Sequence, residues 1–216
     1  MVGWLPLLIA LTLAAAPGLS SGCGGQAARV GQDDGGAGVG GAGGGAVDAR
    51  IFVDDASGCT AVIESHADEG ANHIACTGPT SYGTLPPSSG NHFPKWPDYN
   101  VYDQPIPWGN LVHSMEHGGV VIVYNCPDGC ADELARAQAF IAALPADVLC
   151  TAPDVRRVIL APDPTLPQDV RWAAAAWTWT LRASCFDETA FASFLSEHYG
   201  HGLETTCAEL HAPLCP

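Results

Sequence analysis

The chain has 216 residues, 47% of them hydrophobic, with 23 acidic against 8 basic side chains and a formal charge of −15. Nucleic-acid binding needs clustered Lys and Arg, so this balance excludes it. It also excludes adhesion to anionic lipid without a covalent anchor.

Residues 1–22 read as a signal peptide of the lipoprotein type. Trp4 to Ala16 is almost wholly apolar but too short for a comfortable membrane span, and small residues then lead to Cys23. Cys23 is expected to carry lipid and to become the mature N-terminus. Ser20 stands where a lipobox usually has Leu, and no Lys or Arg lies near Met1, so an ordinary signal peptide is the alternative. Residues 23–49 continue as a Gly- and Ala-rich linker, expected to be a flexible coil because it has little to bury. The expected location is the bacterial cell envelope, exported and lipid-anchored, with the membrane as partner. Residues 50–216 are long enough for one domain with its own core.

Within that domain, Ile51 to Ile74 is mixed and broken by Gly58, Asp68 and Gly70, with Ile74-Ala75-Cys76 a short strand. Thr77 to Trp108 is a long loop of Pro, Gly, Ser and aromatics; so long a loop in a compact domain usually serves a function. The bland alternative is an aromatic lid over the core. Asn110 to His117 reads as one or two helical turns ended by Gly118-Gly119. Val120 to Tyr124 is a buried strand. Asp132 to Leu144 is an amphipathic helix, with Leu134, Ala137, Ile141 and Leu144 on one side. Arg157 to Ala161 is a strand stopped by prolines. Trp172 to Leu181 is part strand, although its alanine-rich start suits a helix equally. Thr189 to Tyr199 is a helix capped near Asp187. The expected fold is α+β or α/β: a small mixed sheet with two main helices and the long loop, stapled by disulfides.

Eight cysteines remain besides Cys23. An even number in an exported chain implies a disulfide framework. Proximity along the chain suggests Cys59–Cys76 and Cys207–Cys215, with Cys126, Cys130, Cys150 and Cys185 pairing among themselves. Cys126 and Cys130 form a CxxxC that also suits a soft metal.

The densest chemistry lies in His113-Ser114-Met115-Glu116-His117. Residues four apart share a face on a helix, and an even spacing also shares a face on a strand. On a helix Glu116 joins the two histidines, a hard set suited to zinc. On a strand Met115 joins them, a soft set suited to Cu(I). The His-x-x-Glu-His pattern also matches a zinc-peptidase signature, but those motifs sit inside long helices and here two glycines follow at once. A metal-free hydrogen-bonded His–Glu cluster is the alternative.

The ordered motifs Leu85-Pro86-Pro87-Ser88-Ser89-Gly90-Asn91-His92, Trp96, Val101-Tyr102-Asp103-Gln104-Pro105-Ile106-Pro107 and Val112 to Gly118 resemble the bacterial domain-of-unknown-function family 3105. The resemblance covers about residues 82–199. It implies an exported, often membrane-anchored protein of uncharacterised activity, and supplies no catalytic residue. Met115 stands where that family usually has Leu, which favours the histidines. His92 then becomes the third ligand beside His113 and His117. Glu116 is a fourth ligand, an orienting group or, if the protein is an enzyme, the base. His66, His73, His201 and His211 are expected at the surface or in packing, and His198 on a buried helix face.

The functional expectation is a lipoprotein that binds one transition-metal ion, copper or zinc. A metal-dependent hydrolase or oxidase and a metal-free interaction module are the alternatives.

Overall fold

The computed structural model describes residues 28–29, 48–54, 57–207 and 213–216. The signal segment, Cys23 and His211 lie outside these residues.

A mixed sheet forms the centre. Its strands are β1 (Ala28–Arg29), β2 (Ala49–Asp54), β3 (Cys59–Ser65), β4 (Val120–Tyr124), β5 (Val158–Pro162), β6 (Trp172–Ala176) and β7 (Trp179–Ala183), in the spatial order β1-β2-β3-β7-β6-β4-β5. Every neighbouring pair is antiparallel except β4 and β5. Three helices complete the fold: α1 (Trp108–Glu116), α2 (Ala131–Ala143) and α3 (Glu188–His198).

Two expectations about strands change. Residues 51–74 hold most of a hairpin, β2–β3, and Gly58 is its turn at φ +70° rather than a break in structure. The β1–β2 pairing also reaches back into the segment expected to be a coil. Trp172 to Leu181 spans parts of two strands. The chain reverses at Trp177-Thr178 with neither Gly nor Pro, and Thr178 sits at φ +60°, a rare place for a β-branched residue. In place of the expected strand at 74–76 there is a single bridge between His73 and His92.

Alternation along the strands divides the core between the two sheet faces. Val120, Ile122, Leu160, Trp172 and Leu181 face one side, where Phe186, Phe191 and Phe194 pack on them. Val121, Val123, Ile159 and Ala175 face the other, against Leu111, Val112 and Met115 of α1 and Tyr99 of the long loop. β4 is buried on both faces, which explains why VVIVY has no polar alternation. Asp187 caps α3 by accepting from the N–H groups of Thr189 and Ala190.

The disulfides are Cys59–Cys185, Cys76–Cys215, Cys126–Cys130 and Cys150–Cys207. The loop-local pairs Cys59–Cys76 and Cys207–Cys215 are therefore incorrect. Cys59 and Cys185 continue the β3–β7 register in which Ala61 faces Ala183, so the ladder itself brings them together. Cys215 is drawn to Cys76, just before the long loop, and to α1, where Asn110 exchanges two hydrogen bonds with its backbone. Cys126 and Cys130 pair with each other and do not form an open soft-metal site.

A buried histidine and glutamate cluster on helix α1

Helix α1 carries the motif, and it is buried from Gly109 to Glu116. It starts at Pro107, which has no N–H to leave unpaired. It ends in a double cap: Gly118 N–H donates to Met115 O, and Gly119 N–H donates to Ser114 O. This is the Schellman arrangement, and it needs the left-handed φ of +78° that Gly118 supplies. The motif is therefore helical, and Glu116, not Met115, lies with the histidines. Met115 is fully buried in the apolar layer among Leu111, Val112 and Val121.

The four residues brought together are His73, His92, His113 and Glu116, each offering one ligand atom, all within 4.8 Å of one another. Glu116 Oε2 lies 3.0 Å from His92 Nε2, 3.4 Å from His73 Nε2 and 3.9 Å from His113 Nε2. A tetrahedral ion with metal–nitrogen distances of about 2.0–2.1 Å would need neighbouring donors about 3.3 Å apart. The observed spacings bracket that value. His92, His113 and Glu116 are buried, whereas half of the His73 side chain is exposed.

Two of the imidazoles are oriented from behind. His92 Nδ1 lies 2.9 Å from Gly90 O, and His113 Nδ1 lies 2.6 Å from Phe93 O. A carbonyl can only accept, so each Nδ1 carries a proton and each Nε2 is turned toward Glu116. Burial pushes the His113 pKa down to about 3, with the Phe93 carbonyl opposing and the His117, His92 and His73 rings adding to the shift. The His113 ring is thus neutral and able to ligate at ordinary pH.

His117 stands apart from this group. Its ring stacks on His113 with centroids 4.8 Å apart, and Trp96 packs against both rings. Its Nδ1 is 3.2 Å from Glu204 Oε2, yet neither ring nitrogen makes a hydrogen bond. Burial lowers its pKa, opposed by Glu204 and Glu116. His73, expected at the surface or in packing, takes the place in the cluster expected of His117. The bridge pairing His73 with His92 puts it there, through Ile74 N–H to His92 O and His92 N–H to Asn72 O. The sequence held one signal for this: the Asn-His of Asn72-His73 recurs at Asn91-His92, each a short step after a glycine. His198 is buried on α3 and stacks on Trp179 at 4.3 Å.

The C-terminal segment straps the end of α1. Glu204 N–H donates to Glu116 O, and Gly200 N–H donates to Gly118 O. At Gly202 the approach is closest, and a Cβ there would lie 2.3 Å from both Glu116 O and Gly118 N.

The fold and cluster define a disulfide-stapled α+β domain with a His₃Glu group, buried except at His73, at the end of a core helix. The family described as "Protein of unknown function (DUF3105)" matches residues 73–209, more than half of the chain, and the protein belongs to that family. The match begins at His73 itself. No curated protein and no solved structure matches the chain.

Proposed function

We propose that this protein binds one transition-metal ion through His73, His92, His113 and Glu116. One observation carries the reading. His92 Nδ1 is committed to Gly90 O, and its Nε2 faces a carboxylate oxygen at 3.0 Å. Two acceptors at that distance repel unless a proton or a cation lies between them. Two further imidazole nitrogens border the same point, which favours the cation.

Three nitrogens and one oxygen suit Zn(II) or Cu(II). Cu(I) prefers sulfur, and here Met115 is in the core and the eight domain cysteines are paired. A metal-dependent enzyme is the second reading. It is favoured by the exposure of His73, because a solvent-side ligand that leaves would open a coordination position. The deciding experiment is elemental analysis of purified protein reloaded with zinc or Cu(II) and passed over a chelating column. One retained ion per chain is expected. No retained ion would turn the cluster into a structural hydrogen-bond group and leave the interaction-module reading.

The protein is also proposed to be exported and anchored through lipid on Cys23. Four disulfides support an oxidising compartment. Mass spectrometry of the mature N-terminus should find a diacylated Cys23, and an unmodified residue there would remove the anchor.

A further inference from the structure

A cavity of about 560 Å³ opens on the other face of the sheet, between the end of α2, the 145–148 loop and α3. That volume lies within the roughly 300–1,000 Å³ of small-molecule sites. Its walls are mainly apolar, with Phe140, Leu144, Val148, Ala192 and Leu195 among them. Val148, in the loop at its rim, is exposed.

One polar group in this wall is uncommitted. Arg50, Arg136, Arg157, Arg171 and Arg182 each meet a carboxylate. Arg156 meets none among the described residues. Its Nη2 reaches only Ala142 O at 3.4 Å, and its Nε is buried without a hydrogen-bond partner. Asp147, which also lines the cavity, is instead engaged by Arg157 at 2.8 Å and by the Tyr199 hydroxyl at 2.6 Å. Burial alone would raise the Asp147 pKa. The Tyr199 hydroxyl, the Leu149 N–H and the Arg157 guanidinium outweigh it and hold the carboxylate ionised. In a chain of charge −15, the half-buried Arg156 guanidinium stands at an apolar cavity without a carboxylate among the described residues, open to an anion from outside.

We propose that this cavity binds an alkyl monocarboxylate, its chain against the α2 and α3 side chains and its carboxylate on Arg156. The planar guanidinium fork fits a carboxylate in two parallel hydrogen bonds. A single unpaired cation matches a single negative charge, and the apolar walls suit a body without further polar groups. The site is separate from the metal cluster and does not depend on it.

Isothermal titration of the disulfide-bonded full chain with decanoate, below its micellar range, tests this. One decanoate per chain is expected, with decan-1-ol roughly tenfold weaker or worse. Arg156→Met should erase that preference while still admitting both compounds. Ala192→Trp, at an exposed position on the cavity wall, should block both. His92→Ala should bind decanoate as the parent does. Absent decanoate binding, equal binding of the alcohol, undiminished binding by Arg156→Met, or binding only to anionic lipid vesicles would each overturn the proposal.

Discussion

The two faces of the sheet are held by different means. On the α2 and α3 face, Trp172, Phe186 and Phe191 pack ring against ring, with centroids 5.0 Å and 4.8 Å apart in successive pairs. Such packing depends on volume and area and has little directional demand. On the α1 face, the cluster depends on direction. Gly90 O and Phe93 O, both in the long loop, fix two imidazoles, and a backbone bridge fixes a third. Stability should therefore reside mainly on the first face and metal specificity on the second, each separable from the other.

Removing a ligand should produce the largest effect. Simply disturbing groups behind the ligands costs about 10–100-fold in metal affinity. His92→Ala and His113→Ala should each lose more than roughly 100-fold in competitive chelator titrations, with little change in melting temperature of the metal-free protein. A large loss of stability in the metal-free state would mean that the cluster is a structural element and that the comparison fails.

Phe191→Ala makes the opposite cut. The ring is fully buried, so its loss should cost about 3–5 kcal/mol in urea unfolding. Metal stoichiometry of the folded fraction should stay at one. If the ion is lost as well, the two faces are coupled through the sheet.

A smaller effect follows from His198, also on the aromatic face. Burial lowers its pKa to about 4, against the pull of Glu197. The unfolded chain, with His near 6.5, takes up the proton first as pH falls. The stabilising contribution of neutral His198 is thus complete above about pH 6.5 and lost as pH drops toward 4. Urea unfolding of metal-free protein across that range should show falling stability, and His198→Phe should make the fall shallower. His113 shifts in the same direction, so the slope should not vanish. An unchanged slope would place the dependence on the other histidines whose pKa values burial lowers, His66, His113 and His117.

The smallest expected effect lies at the β6–β7 turn. Thr178 holds φ +60°, and its backbone ties the long loop to the sheet through Ser88 O and His66 N–H. Thr178→Gly should relieve the left-handed conformation and gain up to about 1 kcal/mol. A loss instead would show that the hydroxyl, which donates to Trp177 O, outweighs the strain.

Much of the aromatic face was legible in the sequence. α2 and α3 follow the helical spacing of Ala137 with Ile141 and of Phe191 with Phe194 and Leu195. β4 and β5 follow unbroken apolar runs. The hairpins were less legible because their turns carry misleading residues. Gly58 looks like a breaker, while Thr178 does not look like a turn. The cluster was legible only in its local part. His113 and Glu116 share a helix face by spacing, and His92 entered through the family resemblance. His73 could not be chosen over the other histidines, because its place depends on one backbone bridge between distant loops. The disulfide partners were hidden for the same reason: three of the four pairs join residues far apart in sequence, and only the folded register brings them together.

The strap at Gly202 has a consequence for how variation should be read. Its φ is not left-handed, so the demand there is for empty space and not for an unusual torsion. A saturation scan of this gene should find position 202 as intolerant as a ligand, since even alanine would push the backbone off the end of α1. Position 202 would then be flagged as a site residue while holding no donor atom, no charge and no side chain: a residue selected for what it omits.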